Sequence, residues 1–388
     1  MSKIEEMIKR LCPNGVERVR LDSLLDYEQP TRYIVNSTEY DSKYSIPVLT
    51  AGQSFILGYT NEEDGIYKAS PQNPTIIFDD FTTGFHWVDF DFKVKSSAMK
   101  MLKLKESKKK NDFRYIYMAM KTIDYIPTNH TRHWISIYGK FEIPLPPPTI
   151  QREIVSVLDS FTTLINKMKQ EVVLRKKQME YYREKLLSFD EEIRKLSFGK
   201  DFTLKARIGW QGLTKNEYIQ DGEYKLITGT DFTTNNTIDF DHCVYVSKER
   251  YEQDPYIQIR EDDVLITKDG TLGKIAYISE LPMPATLNGG VFVVRGKTGE
   301  VTQRFLKYYL ISNNFKNWIE QNHTAGSIMH LTQKLLEKFN IPVPSPSTQE
   351  NIVSTLDAFE QYISKLERLI TLREKQYAYY REKLLTFE

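Results

Sequence analysis

Forty-nine residues of this chain are written twice. Phe141–Phe189 and Phe339–Phe387 align without a gap at a constant offset of 198, and 26 of the 49 positions are identical. Each copy opens on a proline-spaced segment, FEIPLPPPTIQ or FNIPVPSPSTQ, then runs to its end without Gly or Pro. Prolines at 144, 146 and 148, and again at 342, 344 and 346, enforce an extended approach and place a helix start just after them. In the second copy Ser347 with Glu350 predicts a capping box; the first has Thr149 but Arg152 where the acid should be.

Inside each copy the apolar positions step alternately by four and three. The seam reads Ile154, Leu158, Phe161, Ile165, Met168, Val172, Arg175, Met179, Tyr182, Leu186 and Phe189, and 198 residues later Ile352, Leu356, Phe359, Ile363, Leu366, Ile370, Arg373, Tyr377, Tyr380, Leu384 and Phe387. This is the 3.5-residue seam of a coiled coil. Each helix would hold about 40 residues and be roughly 60 Å long. A helix of that length cannot bury its stripe against itself, so the two copies are expected to pair. Each follows a globular segment, and an antiparallel pairing would close the chain with pseudo-two-fold symmetry, the globules at opposite ends. Arg175 and Arg373 interrupt the seam at equivalent places, either as buried cations that fix register or as side chains reaching solvent from its edge.

The 388 residues are enough for two or three domains with cores of their own. Hydrophobic content of 40% and charged content of 27% are ordinary for a globular chain, and no apolar run approaches a transmembrane helix. The start, MSKIEEMIKRLCPNG, has no signal-peptide core. Cys12 and Cys243, the only cysteines, suggest neither a disulfide framework nor a zinc site, so a reducing cytoplasm is expected. A net charge of +1 excludes a uniformly basic surface. Between Lys93 and Lys121, however, ten Lys/Arg face only Glu106 and Asp112, which marks either a local basic face or a solvated lysine loop.

The remaining segments, 1–143 and 191–341, are less alike than the helical stretches at 144–190 and 342–388. Echoes persist. KYSIPVLTAG (Lys43–Gly52) is similar to EYKLITGTD (Glu223–Asp231), and PTIIFDDFTTG (Pro74–Gly84) to DDVLITKDGTLG (Asp262–Gly273). Each reads as a strand ending in a Thr/Gly turn, and helical patterns follow at DFRYIYMAMK and TQRFLKYYLISNNF. Two α+β domains of one fold with divergent surfaces are predicted.

Those residues resemble the DNA specificity subunit of type I restriction–modification systems. The resemblance spans the whole chain in organisation. It is most specific at the duplicated IPLP/IPVP segment, at Gln151 and Gln349, at the long helix ending REKLL and at the opening CPNGVERVRLDSLL. It implies two target recognition domains, each reading one half of a split double-stranded DNA sequence. It also implies that the long helices serve as spacer and as docking surface for two modification methyltransferase subunits and, through them, restriction subunits. Side chains with directional donors and acceptors would read bases while Lys and Arg hold phosphates. Candidate contacts are Thr82, Thr83, Lys93, Lys95, Ser96, Ser97, Arg132 and His133 in the first domain, and Lys268, Thr271, Lys274, Asn288, Ser327 and His330 in the second. TKDGTLGK (Thr267–Lys274) is either a glycine turn admitting phosphate between two lysines or a plain hairpin turn. For partner docking or spacing the candidates are Arg183, Glu184, Lys185, their copies Arg381, Glu382, Lys383, and the seam cations Arg175 and Arg373, with simple solvation as the alternative for the charged face.

There is no Asn/Asp-Pro-Pro-Tyr/Phe tetrapeptide and no Phe-x-Gly-x-Gly, and GTLGK lacks the upstream Gly of a phosphate-binding loop. His130 and His133 have no Cys/His companions, and Asp262 with Asp263 reads as a turn before the strand VLIT. No cofactor, metal or catalysis of its own is therefore expected. The competing reading is a non-DNA scaffold with two protein-binding domains on a coiled-coil tether.

Overall fold

Proline placement decides where the long helices begin. In the computed structural model, which describes residues 3–52, 54–129, 131–207, 212–268, 272–322 and 331–387, they span Pro148–Leu186 and Pro346–Thr386. Each starts on the last proline of its ladder, not behind it, because a proline at the first helical position lacks only an N–H that would have no helical partner. The expected capping box on Ser347 and Glu350 is therefore displaced. Ser347 already lies inside the helix, and the Ser345 hydroxyl accepts the Thr348 N–H at 3.2 Å.

The chain divides into two units, Met1–Lys169 with Arg368–Glu388, and Gln170–Glu367. In the first, α1 (Lys3–Leu11), β1 (Arg18–Arg20), α2 (Leu21–Leu24) and β2 (Leu25–Glu28) open the domain. Then come β3 (Ile46–Leu49), β4 (Ile56–Thr60), β5 (Thr75–Asp79), β6 (Phe85–Val88), β7 (Lys93–Val94) and β8 (Met99–Leu104). Next, α3 (Phe113–Met120), α4 (His133–Ser136) and β9 (Glu142–Pro144) deliver the chain to α5 (Pro148–Leu186). An antiparallel sheet has the order β2-β8-β5-β6, a second sheet the order β4-β3-β7 with β3 and β7 parallel, and β1 pairs β9.

The second unit repeats this plan. It contains β10 (Lys195–Ser197), α6 (Phe198–Asp201), β11 (Phe202–Lys205), β12 (Tyr224–Ile227), β13 (Val244–Val246) and α7 (Lys248–Glu252). The strands β14 (Val264–Thr267), β15 (Ile275–Tyr277), β16 (Ala285–Leu287) and β17 (Val291–Gly296) follow. Last are α8 (Gln303–Ile311), α9 (Asn313–Asn322), α10 (Gln333–Leu336), β18 (Asn340–Pro342) and α11 (Pro346–Thr386). Its sheets run β11-β17-β14-β15, β13-β12-β16 and β10-β18. Every strand is thus the counterpart of the strand nine earlier. The echoes in sequence fall on β3 and β12, on β5 and β14, and on α3 and α8.

Each core is closed by segments of both long helices. In the first unit Ile76, Phe78, Leu102, Tyr115 and Ile116 cluster with Ile150, Ile154 and Leu158 of α5 and Leu384 and Leu385 of α11. In the second, Ile266, Phe292, Phe305 and Leu306 cluster with Ile352 and Leu356 of α11 and with Leu187. Burying a side chain of this size contributes about 1.5–3 kcal/mol, so these contacts join helix and domain into one core.

The helices pair antiparallel within each unit. In the first, Phe161 stacks on Tyr380 with ring centres 5.6 Å apart, and Lys169 meets Glu374 at 2.7 Å. In the second, Tyr182 stacks on Phe359 at 5.7 Å, and Lys176 meets Glu367 at 2.8 Å. Numbers rise on one helix as they fall on the other. Adding 198 to Phe161 and Lys169 gives Phe359 and Glu367, so the contacts of one unit are the numbered equivalents of the contacts of the other. Every expected apolar seam residue is buried or half-buried except Tyr182, which is 36% exposed. The Lys–Glu pairs are half-exposed, so they select register more than they stabilise.

A buried glutamine sets each domain against its helix. The Gln151 carbonyl accepts the N–H of Asp112, the residue capping α3, at 2.7 Å, while its amide donates to Pro146 O at 2.7 Å and Asn111 Oδ1 at 3.1 Å. Gln349 does the same for Thr302, the cap of α8, at 3.0 Å, and donates to Pro344 O at 3.1 Å and Glu300 O at 2.7 Å. Two turns further along each long helix, Arg114 meets Asp159 at 3.1 Å and Arg304 meets Asp357 at 2.7 Å. Among the described residues no helix is long and apolar enough to cross a membrane.

The two seam arginines differ. Arg175 sits at the seam edge, donating to Glu171 at 2.8 Å and Gln178 at 2.7 Å, with its guanidinium 5.6 Å from the Tyr362 ring centre. Arg373 keeps the equivalent bond to Gln376 at 2.7 Å, yet its Nε is buried without a partner among the described residues. The cause is one substitution in the repeat: Leu369 stands where the first copy has Glu171. Leu369→Glu should supply the missing acceptor one turn before the arginine, raising stability by about 0.5 kcal/mol. A thermal unfolding midpoint that rises for L369E but not for L369Q checks the ionic part; a fall for both would refute it.

Candidate nucleic-acid interface

The strand β5 ends in two aspartates with different tasks. The Asp79 carboxylate accepts the N–H groups of Phe81 at 2.9 Å and Thr82 at 2.8 Å, and Asp79 O accepts the N–H of Thr83 at 2.9 Å. Thr83 takes φ +58°, a left-handed conformation that a β-branched residue adopts only when its surroundings impose it. Gly84 follows because a Cβ there would lie 2.5 Å from Ala51 O. The result is a tight turn with Thr82 exposed and Thr83 buried.

Asp80 is the tie. Its N–H donates to Ala98 O at 2.9 Å, and its carbonyl accepts the His133 N–H at 2.8 Å. Its carboxylate accepts the Trp134 N–H at 2.7 Å and meets Lys100 Nζ at 3.1 Å, both side chains being essentially buried. Lys100 also lies 4.4 Å from the Tyr27 ring centre. Three segments carrying expected contacts therefore converge on one residue: the Thr82–Thr83 turn, the Lys95–Ser97 segment and the Arg132–His133 segment. Thr82, Lys95, Ser97 and Arg132 are exposed and Ser96 is half-exposed.

Two other expected contacts lie in the interior. Lys93 donates to Asp64 O at 2.6 Å and pairs with Glu62 at 3.1 Å. Glu62 is held below the usual carboxylate range: burial raises it, but the N–H groups of Ser37 and Asn36 and the Lys93 ammonium outweigh burial. His133 is buried with both ring nitrogens engaged, Nδ1 with the Tyr125 hydroxyl at 3.0 Å and Nε2 with Asn129 O at 3.1 Å. A carbonyl only accepts, so Nε2 carries the proton and Nδ1 accepts from Tyr125. The basic stretch is thinner than its sequence suggests, since Lys93, Lys100 and Arg114 all point at acids of this chain.

In the second domain Lys268 occupies the place of Asp80. Its N–H donates to Gly290 O at 2.9 Å, and its carbonyl accepts the Leu331 N–H at 3.1 Å. Asn288 takes the place of Lys95: its N–H donates to Ile227 O at 2.9 Å, as that of Lys95 does to Leu49 O at 3.2 Å. Its side chain donates to the Tyr218 hydroxyl at 2.6 Å. Lys274 is exposed, its N–H held by Thr267 Oγ1 at 2.9 Å. Thr271, Ser327 and His330 lie outside the described residues, as does His130.

The REK copies are not used alike. Glu184 bonds Arg183 at 2.9 Å and accepts the N–H of Asn313, the first residue of α9, at 2.9 Å. In the other copy it is Lys383 that is engaged, with Glu5 of α1 at 2.7 Å. Lys185 and Glu382 are exposed and Arg381 half-exposed. Large apolar residues, in contrast, are exposed at equivalent places: Leu164 and Tyr362, Leu174 and Leu372, Tyr181 and Tyr379. These stand outside the seam stepping, so the seam pattern in the sequence does not reveal them. Nor does it reveal Asp80. The one signal available was its place in the second of two aligned strand ends.

The profile of the type I restriction modification DNA specificity domain family matches residues 13–175 and again 211–374. Over 100% of its length this chain is 37% identical to the type I restriction enzyme EcoR124I/EcoR124II specificity subunit of Escherichia coli, covering 98% of that protein. It is 26% identical to a putative type I restriction enzyme specificity subunit of Haemophilus influenzae, over 86% of each chain. Among solved structures, the S subunit of a type I restriction–modification system from M. genitalium superposes with a TM-score of 0.59 over 96% of this chain and 97% of that one. At 17% identity this is a likeness of fold.

Removing one partner of a buried ion pair leaves the other charge uncompensated, at about 3–5 kcal/mol. Asp80→Asn keeps an acceptor for the Trp134 N–H and deletes only the charge. Its urea unfolding midpoint should fall accordingly, and the double variant D80N/K100M should recover most of the loss. Equal stability of D80N and the parent would show that Asp80–Lys100 is no energetic tie.

Proposed function

Because the chain belongs to the type I restriction–modification DNA specificity family, with a DNA target-recognition role for its two domains, we propose that each domain reads one half of a gapped double-stranded site. The observation that carries this reading is the exact-order duplication of both sheets on the two domains, combined with different residues at the matched strand ends. One scaffold presented twice, with changed tips, is what reading two different half-sites requires. The recognition domains are assigned to 1–143 and 191–341, and the spacer helices to 144–190 and 342–388. Groove faces recur about every 34–36 Å along a duplex, so a stiff spacer selects how many base pairs go unread.

In the first domain Thr82, Ser96 and Ser97 suit base edges, and Lys95 and Arg132 suit phosphates. Thr83, Lys93 and His133, being interior, hold these segments in place. In the second, Asn288, Lys268 and Lys274 take part, with Thr271, Ser327 and His330 retained from their position in sequence. Two modification methyltransferase subunits dock on the long helices and bring in restriction subunits. Equivalent exposed apolar pairs such as Leu174 and Leu372 support two identical partners. Lys185, Arg381 and Glu382 are charged positions beside them without a partner among the described residues, while Glu184, paired with Arg183, and Lys383 brace the long helices against the domains. The chain works in the cytoplasm and leaves the chemistry to its partners. A non-DNA scaffold is not favoured, since both halves match a DNA specificity domain.

Mapping methylated bases in cells with and without this chain tests the reading, a gapped two-part site appearing only with it. Adding about one heptad to either long helix should change the gap and keep both half-sites. Exchanging one domain should change one half-site and keep the gap. Methylation that is independent of the chain, or a contiguous site, would defeat the proposal.

A further inference from the structure

The two strand-end ties exchange charge. Backbone bonds make Asp80 and Lys268 equivalent: each N–H donates to the residue before β8 or β17, and each carbonyl accepts the N–H of His133 or Leu331, 198 positions apart. Strand register makes their neighbours equivalent too. Lys100 pairs with Phe78 on β5 as Phe292 pairs with Ile266 on β14.

In the first domain the Asp80 side chain has two structural duties. It neutralises Lys100, and it accepts the Trp134 N–H at the start of α4, where the cap position, Arg132, makes no side-chain bond of its own. In the second domain both duties are met without residue 268. Thr332 caps α10 through its own hydroxyl, which accepts the Leu335 N–H at 3.2 Å, and Phe292 in place of Lys100 needs no counter-ion. An apolar residue or a small polar one would serve the fold at 268. The chain instead carries a lysine there, half-exposed, with its ammonium 5.5 Å from the Phe292 ring centre and no carboxylate partner among the described residues.

We infer that Lys268 is a backbone-phosphate contact of the second domain for which the first domain has no counterpart at the equivalent place. This rests on reading that domain as a DNA-recognition domain. The Phe292 ring attracts the ammonium and limits where it can go, and a lysine presents a point charge suited to a phosphate oxygen. The domain's grip on DNA therefore includes one screened ionic contact that in the first domain is satisfied internally by Asp80 and Lys100.

The test uses the full chain bound to its methyltransferase subunits and a duplex bearing the site obtained by mapping methylated bases. Affinity is measured across a salt series, then across single base-pair changes in both half-sites, for wild type, K268Q and K268R. K268Q should reduce the slope of log affinity against log salt by about one and weaken all sequences evenly, while K268R keeps the slope. An unchanged slope in K268Q overturns the inference and leaves a solvated lysine. Lost discrimination at one base pair with the slope intact also overturns it, in favour of a base-edge contact. If the wild-type complex shows no salt-dependent preference for the site, the functional reading fails and takes the inference with it.

Discussion

An apolar seam with a 3.5-residue step is the constraint on which the rest depends. Thirty-nine residues of α5 and 41 of α11 have no way of covering that seam alone. The chain covers it with a second copy of itself, antiparallel, so that Phe161 meets Tyr380 and Tyr182 meets Phe359. Alternating four- and three-residue steps specify which side chains face inward. The stacked aromatics and the Lys169–Glu374 and Lys176–Glu367 pairs specify the register. Because the partner sequence is a duplicate, one set of contacts serves in each unit.

Helix and domain are joined by a small polar device inside a large apolar contact. Gln151 and Gln349 accept from the caps of α3 and α8, and each donates to a carbonyl of its proline ladder. A buried amide so placed has little freedom to turn, since any other orientation would leave a buried donor or acceptor unmade. Asp159 and Asp357 repeat the same arginine contact two turns along. In the second unit the docking is heavier, with Lys307–Glu360 at 2.6 Å and the Tyr308 hydroxyl on Asp357 at 2.5 Å in addition. The scaffold on which the tips diverge is therefore held twice by the same chemistry.

At the tips that chemistry is not conserved between copies. The backbone bonds at Asp80 and Lys268 are the same, because they close the sheet against the segment before α4 or α10. Side chains there are released from structural duty one by one: a local threonine cap frees the acceptor, and a phenylalanine for a lysine frees the counter-charge. Divergence of surface without divergence of fold follows from that separation of backbone and side-chain roles.

Period and repetition were written in the sequence itself. The seam, the duplicated helices, the α+β class and the pairing of β3 with β12, β5 with β14 and α3 with α8 could all be read there, since each depends on local spacing or on comparing one half with the other. The capping of α11 falls two residues before the expected Ser347, because Ser347 and Ser345 offer the same hydroxyl and only the backbone shows which one precedes the helix. Which of the basic residues face outward was beyond the sequence altogether. Lys93 and Lys95 are two positions apart on a short strand and its end, yet one meets Glu62 in the interior and the other meets solvent. The partners of Lys93, Glu62 and Asp64, lie about thirty residues away, and a charge's availability is decided by what the fold brings beside it.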